Sequence, residues 1–154
     1  MRQIHGYIKA IIFFIGIILT CGVANAQETT VSEPANYKLA ADKFAAGYNA
    51  EDIKAICNLF TPELVKLLPQ DRMQLMISVL RLQLGKLKSH KFEKFETKNN
   101  NKVARYKVYF DSGDLTLLMS LNSSNQIDFL WFIPGESTAA SAEMFQKIFE
   151  AATK

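Results

Sequence analysis

The sequence predicts an α+β fold with helices first and an antiparallel sheet after them. Two observations carry this. Up to Leu84 apolar residues recur every three to four positions, and from Lys86 to about Pro134 the period falls to two, the change from helix to strand. Turn signals divide this second half into the four strands of a meander. A last helical stripe, Phe145, Ile148, Phe149 and Ala152, predicts a C-terminal helix from about Ala139 to Thr153.

Residues Gln27 to Glu33 are polar and aperiodic, a leader that extends to about residue 35. Tyr37, Ala40, Ala41, Phe44, Ala45 and Tyr48 form the stripe of a first helix, which Asn49 and Ala50 end. Asp52 is the expected N-cap of a short second helix with Ile53, Ile56, Cys57 and Phe60 on one face. Thr61-Pro62-Glu63 restarts the chain with a cap and a proline at the first helical position, for one more turn to Leu68. After Pro69, Asp71 is the expected cap of a long helix whose Met73, Met76, Ile77, Leu80 and Leu84 share a face. Gly85 should stop that helix in the left-handed region.

The first strand holds Phe92 and Phe95, which an unbroken alternation cannot place on one face; a β-bulge would reconcile them. Asn99-Asn100-Asn101 is a turn. Beyond it Ala104, Tyr106, Val108 and Phe110 alternate with Val103, Arg105, Lys107 and Tyr109. Asp111-Ser112-Gly113-Asp114 signals a hairpin, and Asn122-Ser123-Ser124-Asn125 joins strands Leu115 to Leu121 and Ile127 to Ile133. The last strand is apolar at all positions but Asp128, so both its faces should be covered, one by the first helices and the other by the C-terminal helix or by a second copy of the protein.

The N-terminus reads as an export signal. Arg2 and Lys9 are basic, Ile8 to Thr20 is almost continuously apolar, and Ala24-Asn25-Ala26 offers the small residues that a signal peptidase needs. That apolar run is about 13 residues, short of the roughly 20 that span a bilayer. The expected organisation is a signal peptide over 1–26, a leader over 27–35 and one domain over 36–154, with contact to a membrane only during export. The product would be periplasmic or secreted after cleavage following Ala26.

Of the 18 basic residues Arg2 and Lys9 leave with the signal, so 16 face 15 acidic ones. Such a balance gives no electrostatic footprint for nucleic acid. Lys86, Lys88, His90, Lys91 and Lys94 are interleaved with Glu93 and Glu96 and read as a solvated strand edge. Cys57 would remain as a lone thiol, a small buried hydrophobe with a raised pKa. With His90 as the one histidine after the signal, neither a metal nor another cofactor is expected.

Several segments together resemble a known family. They are Tyr37 to Phe44 through Tyr48-Asn49-Ala50, Asp52 to Ile56, Leu59-Phe60-Thr61-Pro62-Glu63, Leu84-Gly85-Lys86, Leu115-Thr116-Leu117 and Phe129 to Pro134. The family is domain of unknown function 3887, and the element order looks like the nuclear-transport-factor-2-like (cystatin-like) α+β fold, where a curved sheet wraps a long first helix as a cone. The resemblance covers about residues 37 to 134 and rests on packing and capping residues. It implies an extracytoplasmic module, in relatives often placed before a serine hydrolase, and it carries no catalytic residue.

The interior of such a cone is the candidate site, lined or filled by Phe44, Tyr48, Phe60, Met73, Met119, Phe129 and Trp131. Aromatic and Met-rich walls suit a small apolar ligand, although the same side chains could meet and leave no cavity. An enzyme of the isomerase or dehydratase kind would need a carboxylate there, and Asp128 and Asp42, with His90, are the candidates. Asp128 has the opposite strand parity from Phe129 and Trp131, which argues against that reading. Gly135-Glu136-Ser137-Thr138-Ala139 falls one residue short of a nucleophile elbow and has no histidine after it; Ser137 or Thr138 as a helix cap explains it. The expectation is an exported, non-catalytic domain that binds a small apolar ligand or a protein partner. That partner could be a second copy through the sheet or a separately encoded envelope hydrolase.

Overall fold

The structure is a computed structural model and describes residues 32–98 and 101–134. Four helices precede four strands: α1 (Ala35–Ala50), α2 (Ile53–Cys57), α3 (Pro62–Leu67), α4 (Gln70–Leu84), β1 (Leu87–Lys98), β2 (Asn101–Phe110), β3 (Gly113–Leu121) and β4 (Ile127–Pro134). The strands form one open antiparallel sheet in the order β1-β2-β3-β4. The expected signal peptide, most of the leader, the Asn99-Asn100 turn and the C-terminal helix lie outside the described residues.

Local chemistry explains several helix ends. The Asp52 carboxylate accepts from Ala55 N at 2.9 Å, and the Thr61 hydroxyl accepts from Leu64 N at 3.2 Å with Pro62 following at the first helical position. Asp71 is not the cap of α4. Pro69, extended at φ −64° and ψ 163°, already turns the chain into the helix, and its carbonyl accepts from Met73 N at 2.9 Å, so Asp71 sits within the first turn. Gly85 does end α4, at φ 79° but ψ −149°, outside the left-handed helical basin. A Cβ there would lie 2.5 Å from Asp111 Oδ2, so glycine is required by crowding as well as by φ.

The core lies between the helices and one sheet face. Tyr37, Ala40, Ala41, Phe44 and Tyr48 of α1 and Met73, Ile77, Leu80 and Leu84 of α4 pack on Ala104, Tyr106, Val108 and Phe110 of β2 and on Leu115, Leu117 and Met119 of β3. The expected bulge is present: the β1–β2 register shifts between Phe92 and Lys94, so Phe92 opposes Tyr106 and Phe95 opposes Ala104, both toward the helices. Both faces of β3 are covered, from Asp114 to Ser120, while the C-terminal helix and second copy expected to cover the outer face of β4 lie outside the described residues. Among the described residues β4 ends the sheet, and its Phe129 and Trp131 keep 37% and 45% of their surface exposed. Among the described residues no helix is long and apolar enough to cross a membrane.

Candidate functional site

Five of the seven residues expected at the cone, Phe44, Tyr48, Phe60, Met73 and Met119, are brought together on the helix side of the sheet and are each at most 3% exposed. Phe44 packs on Phe132 with ring centroids 6.0 Å apart, and Tyr48 meets Phe110 edge-on at 5.5 Å. The Tyr48 hydroxyl donates to the Gly85 carbonyl at 3.0 Å, and burial pushes its pKa far above the usual phenol value. Tyr106 is likewise raised by burial, and its hydroxyl donates to Glu33 Oε1 at 2.8 Å.

Phe129 and Trp131 do not join them. The β3–β4 register shifts at Ser120/Leu121, so Ile127 stays in the core while Leu130 and Phe132 become the inward residues after it. Phe129 and Trp131 therefore pair with Ser120 and Leu118 on the face turned away from the helices. At the same irregularity the Asp128 carboxylate accepts from the Ser120 hydroxyl, so parity does not separate Asp128 from Phe129 here.

Asp42 and His90, far apart in sequence, are in contact. His90 Nε2 lies 2.9 Å from Asp42 Oδ1, and Lys38 Nζ donates to Asp42 Oδ2 at 2.7 Å. The Lys38 hydrogen bond holds the Asp42 carboxyl below its ordinary pKa, with His90 adding to the effect. The pair borders a shallow depression of about 370 Å³ that Glu33, Asn49 and Lys88 also line. A catalytic dyad keeps one imidazole nitrogen for the substrate. Here Nε2 is engaged by Asp42 and, among the described residues, Nδ1 is buried without a hydrogen-bond partner, so the pair fastens α1 to β1. Cys57 is half-buried, and burial raises its thiol, which makes it a poor nucleophile.

The outward face carries an arrangement not expected from the sequence. Arg105 Nε donates to Glu93 Oε2 at 3.1 Å, Nη1 to Glu96 Oε1 at 3.3 Å and Nη2 to Thr116 Oγ1 at 3.4 Å. Lys107 lies 3.5 Å from Asp114, and these groups border a second depression of about 390 Å³. The signal for it was the Phe92/Phe95 spacing: the bulge that turns both phenylalanines inward leaves Glu93 and Glu96 together on the outer side. Across β3 the charged half of this face gives way to Leu118, Trp131 and Phe129. Among the described residues no group of three or more His, Cys, Asp or Glu side chains could hold a metal ion.

A run of helices on one face of an antiparallel meander, with a cluster of buried apolar side chains between them, defines a small α+β domain. The chain belongs to the family described as protein of unknown function (DUF3887), whose model matches residues 41–130, more than half of the sequence. No curated protein and no solved structure matches the chain.

Proposed function

We propose that this chain is an exported, non-catalytic domain of the nuclear-transport-factor-2-like kind that recognises a protein partner through the outer face of its sheet. The observation that carries the reading is the division of large apolar side chains between two faces. Phe44, Tyr48, Phe60, Met73 and Met119 are spent on the core, while Phe129 and Trp131 are presented outward beside the charged Arg105 cluster. An aromatic strip bordered by fixed charges is the composition of a protein-binding surface, with anchors in the middle and polar groups at the rim. A small apolar ligand in the interior would have to separate side chains already in contact. Export rests on the basic, apolar and small-residue segments of residues 1–26. A separately encoded envelope hydrolase is the partner class that the family resemblance suggests.

The test is native mass spectrometry of the chain isolated from the fraction in which it accumulates, for wild type and for Phe129→Ala/Trp131→Ala. A protein adduct lost in the double variant, with melting unchanged, supports the reading. A small excess mass that survives the double variant and is released on denaturation would replace it with the ligand-binding alternative. An N-terminus at Gln27 is the expected sign of export.

A further inference from the structure

The buried stripe of α4 is Met73, Ile77, Leu80 and Leu84, and the opposite side of the same helix carries a second pattern. Asp71, Leu75, Ser78 and Leu82 follow one another at spacings of four, three and four, the seam of a helix pair, and Lys86 continues it just beyond the helix. Leu75 is 44% exposed and Leu82 is 87% exposed. Single exposed leucines are ordinary, but two at heptad spacing about a small residue form a stripe.

We propose that α4 pairs antiparallel with α4 of a second copy of this chain, crossing about a twofold axis near Ser78. The occupant is argued from complementarity. A twofold axis that sets Leu75 against Leu82 of the other copy also sets Asp71 against Lys86 of the other copy, and repeats both contacts by symmetry. Arg72 comes likewise toward the end of the helix where Asp111 lies against Gly85. Neither Asp71 nor Arg72 has an ion-pair partner among the described residues, and the Lys86 ammonium has none either. Ser78 lets the two backbones approach, and the depression of about 480 Å³ that Ser78, Arg81, Leu82, Gly85 and Lys86 line gives room for the Leu75 side chain of the second copy. Antiparallel pairing also sets the helix dipoles in opposition. This contact uses the side of the molecule away from the sheet and is independent of the proposal for the outer sheet face.

Sedimentation velocity of the full chain over a dilution series tests it. The expected result is a dimer that dissociates on dilution. Leu82→Glu should weaken it by roughly a hundredfold, since it places a charge at the buried centre of the contact. Leu82→Ser should weaken it without adding charge, and Leu39→Glu, at an exposed leucine of α1, should leave it unchanged. Asp71→Lys or Lys86→Asp alone should each cost about tenfold, and the two together should restore the dimer. A chain that stays monomeric into the millimolar range overturns the proposal. So does a dimer as tight in both Leu82 variants as in the wild type, or a double reversal no tighter than the single ones.

Discussion

The Asn49 carboxamide pairs with the backbone of Leu87 through two hydrogen bonds, its Nδ2 donating to the carbonyl at 2.8 Å and its Oδ1 accepting from the amide at 2.9 Å. The last turn of α1 thus acts as a short piece of strand against the outer edge of β1, satisfying backbone groups that an edge strand leaves open. Asn49→Ala should cost about 1–2 kcal/mol, because both Leu87 groups lose their partner at once. Asn49→Asp should cost no less, since it keeps the acceptor and sets a carboxylate oxygen against the carbonyl. Urea denaturation measures both, and an unchanged midpoint would remove this pairing as a stabilising contact.

Gly85 should tolerate no side chain. Its φ of 79° disfavours one, and a Cβ would meet Asp111, whose Oδ2 accepts from Lys86 N at 2.6 Å and cannot move away without losing that bond. Gly85→Ala is expected to destabilise by about 2–4 kcal/mol. Pairing it with Asp111→Gly should recover part of the loss, which a melting comparison of single and double variants would reveal.

The two groups of aromatic residues should respond oppositely to truncation. Phe44→Ala removes a ring that is 1% exposed and should cost about 3–5 kcal/mol. Phe129→Ala removes a ring more than a third exposed and should cost less than about 1 kcal/mol. Similar losses at the two positions would mean that Phe129 belongs to the core after all.

Acid should loosen the attachment of α1 to β1. Asp42 has a folded pKa below its ordinary value, so its contribution is fully present above the unfolded carboxylate pKa and is lost as pH falls through the lower folded one. Its side chain is 46% exposed, so solvent screening limits the effect to about 0.5 kcal/mol. Denaturation at neutral pH and at pH below the carboxylate range should show this increment vanishing in Asp42→Asn, whose stability would then fall less steeply with acid than that of the wild type.

Phenolate titration followed by ultraviolet absorbance reports on the interior. Tyr48 and Tyr106 both have folded pKa values raised by burial, so the stability they add is fully present below the unfolded phenol pKa and is lost as pH rises through the folded values. They should ionise only as the protein unfolds in alkali. Reversible ionisation of every tyrosine in the folded chain would mean that water reaches the interior.

Local chemistry was legible in the residues themselves. Asp52, Thr61 and Pro62 begin helices wherever such residues meet free N–H groups, and the parity of Phe92 and Phe95 pointed to a bulge whatever the partner strand. The Asp71 expectation failed for an equally local reason, that Pro69 had already set the backbone. Arg105 and its two glutamates were visible as charges but not as a cluster, because their meeting depends on which residues of β1 and β2 stand opposite one another.

Read alone, the sequence determined the order of the four helices and four strands, the antiparallel meander, the family and the inward stripes of α1, α4 and β2, since periodicity follows from backbone geometry. Only the tertiary structure decided which way Phe129 and Trp131 point. Strict alternation from Ile127 would have sent both to the core. One irregularity in the β3–β4 register reverses every side chain after it, and that reversal depends on pairing between strands rather than on the residues of either.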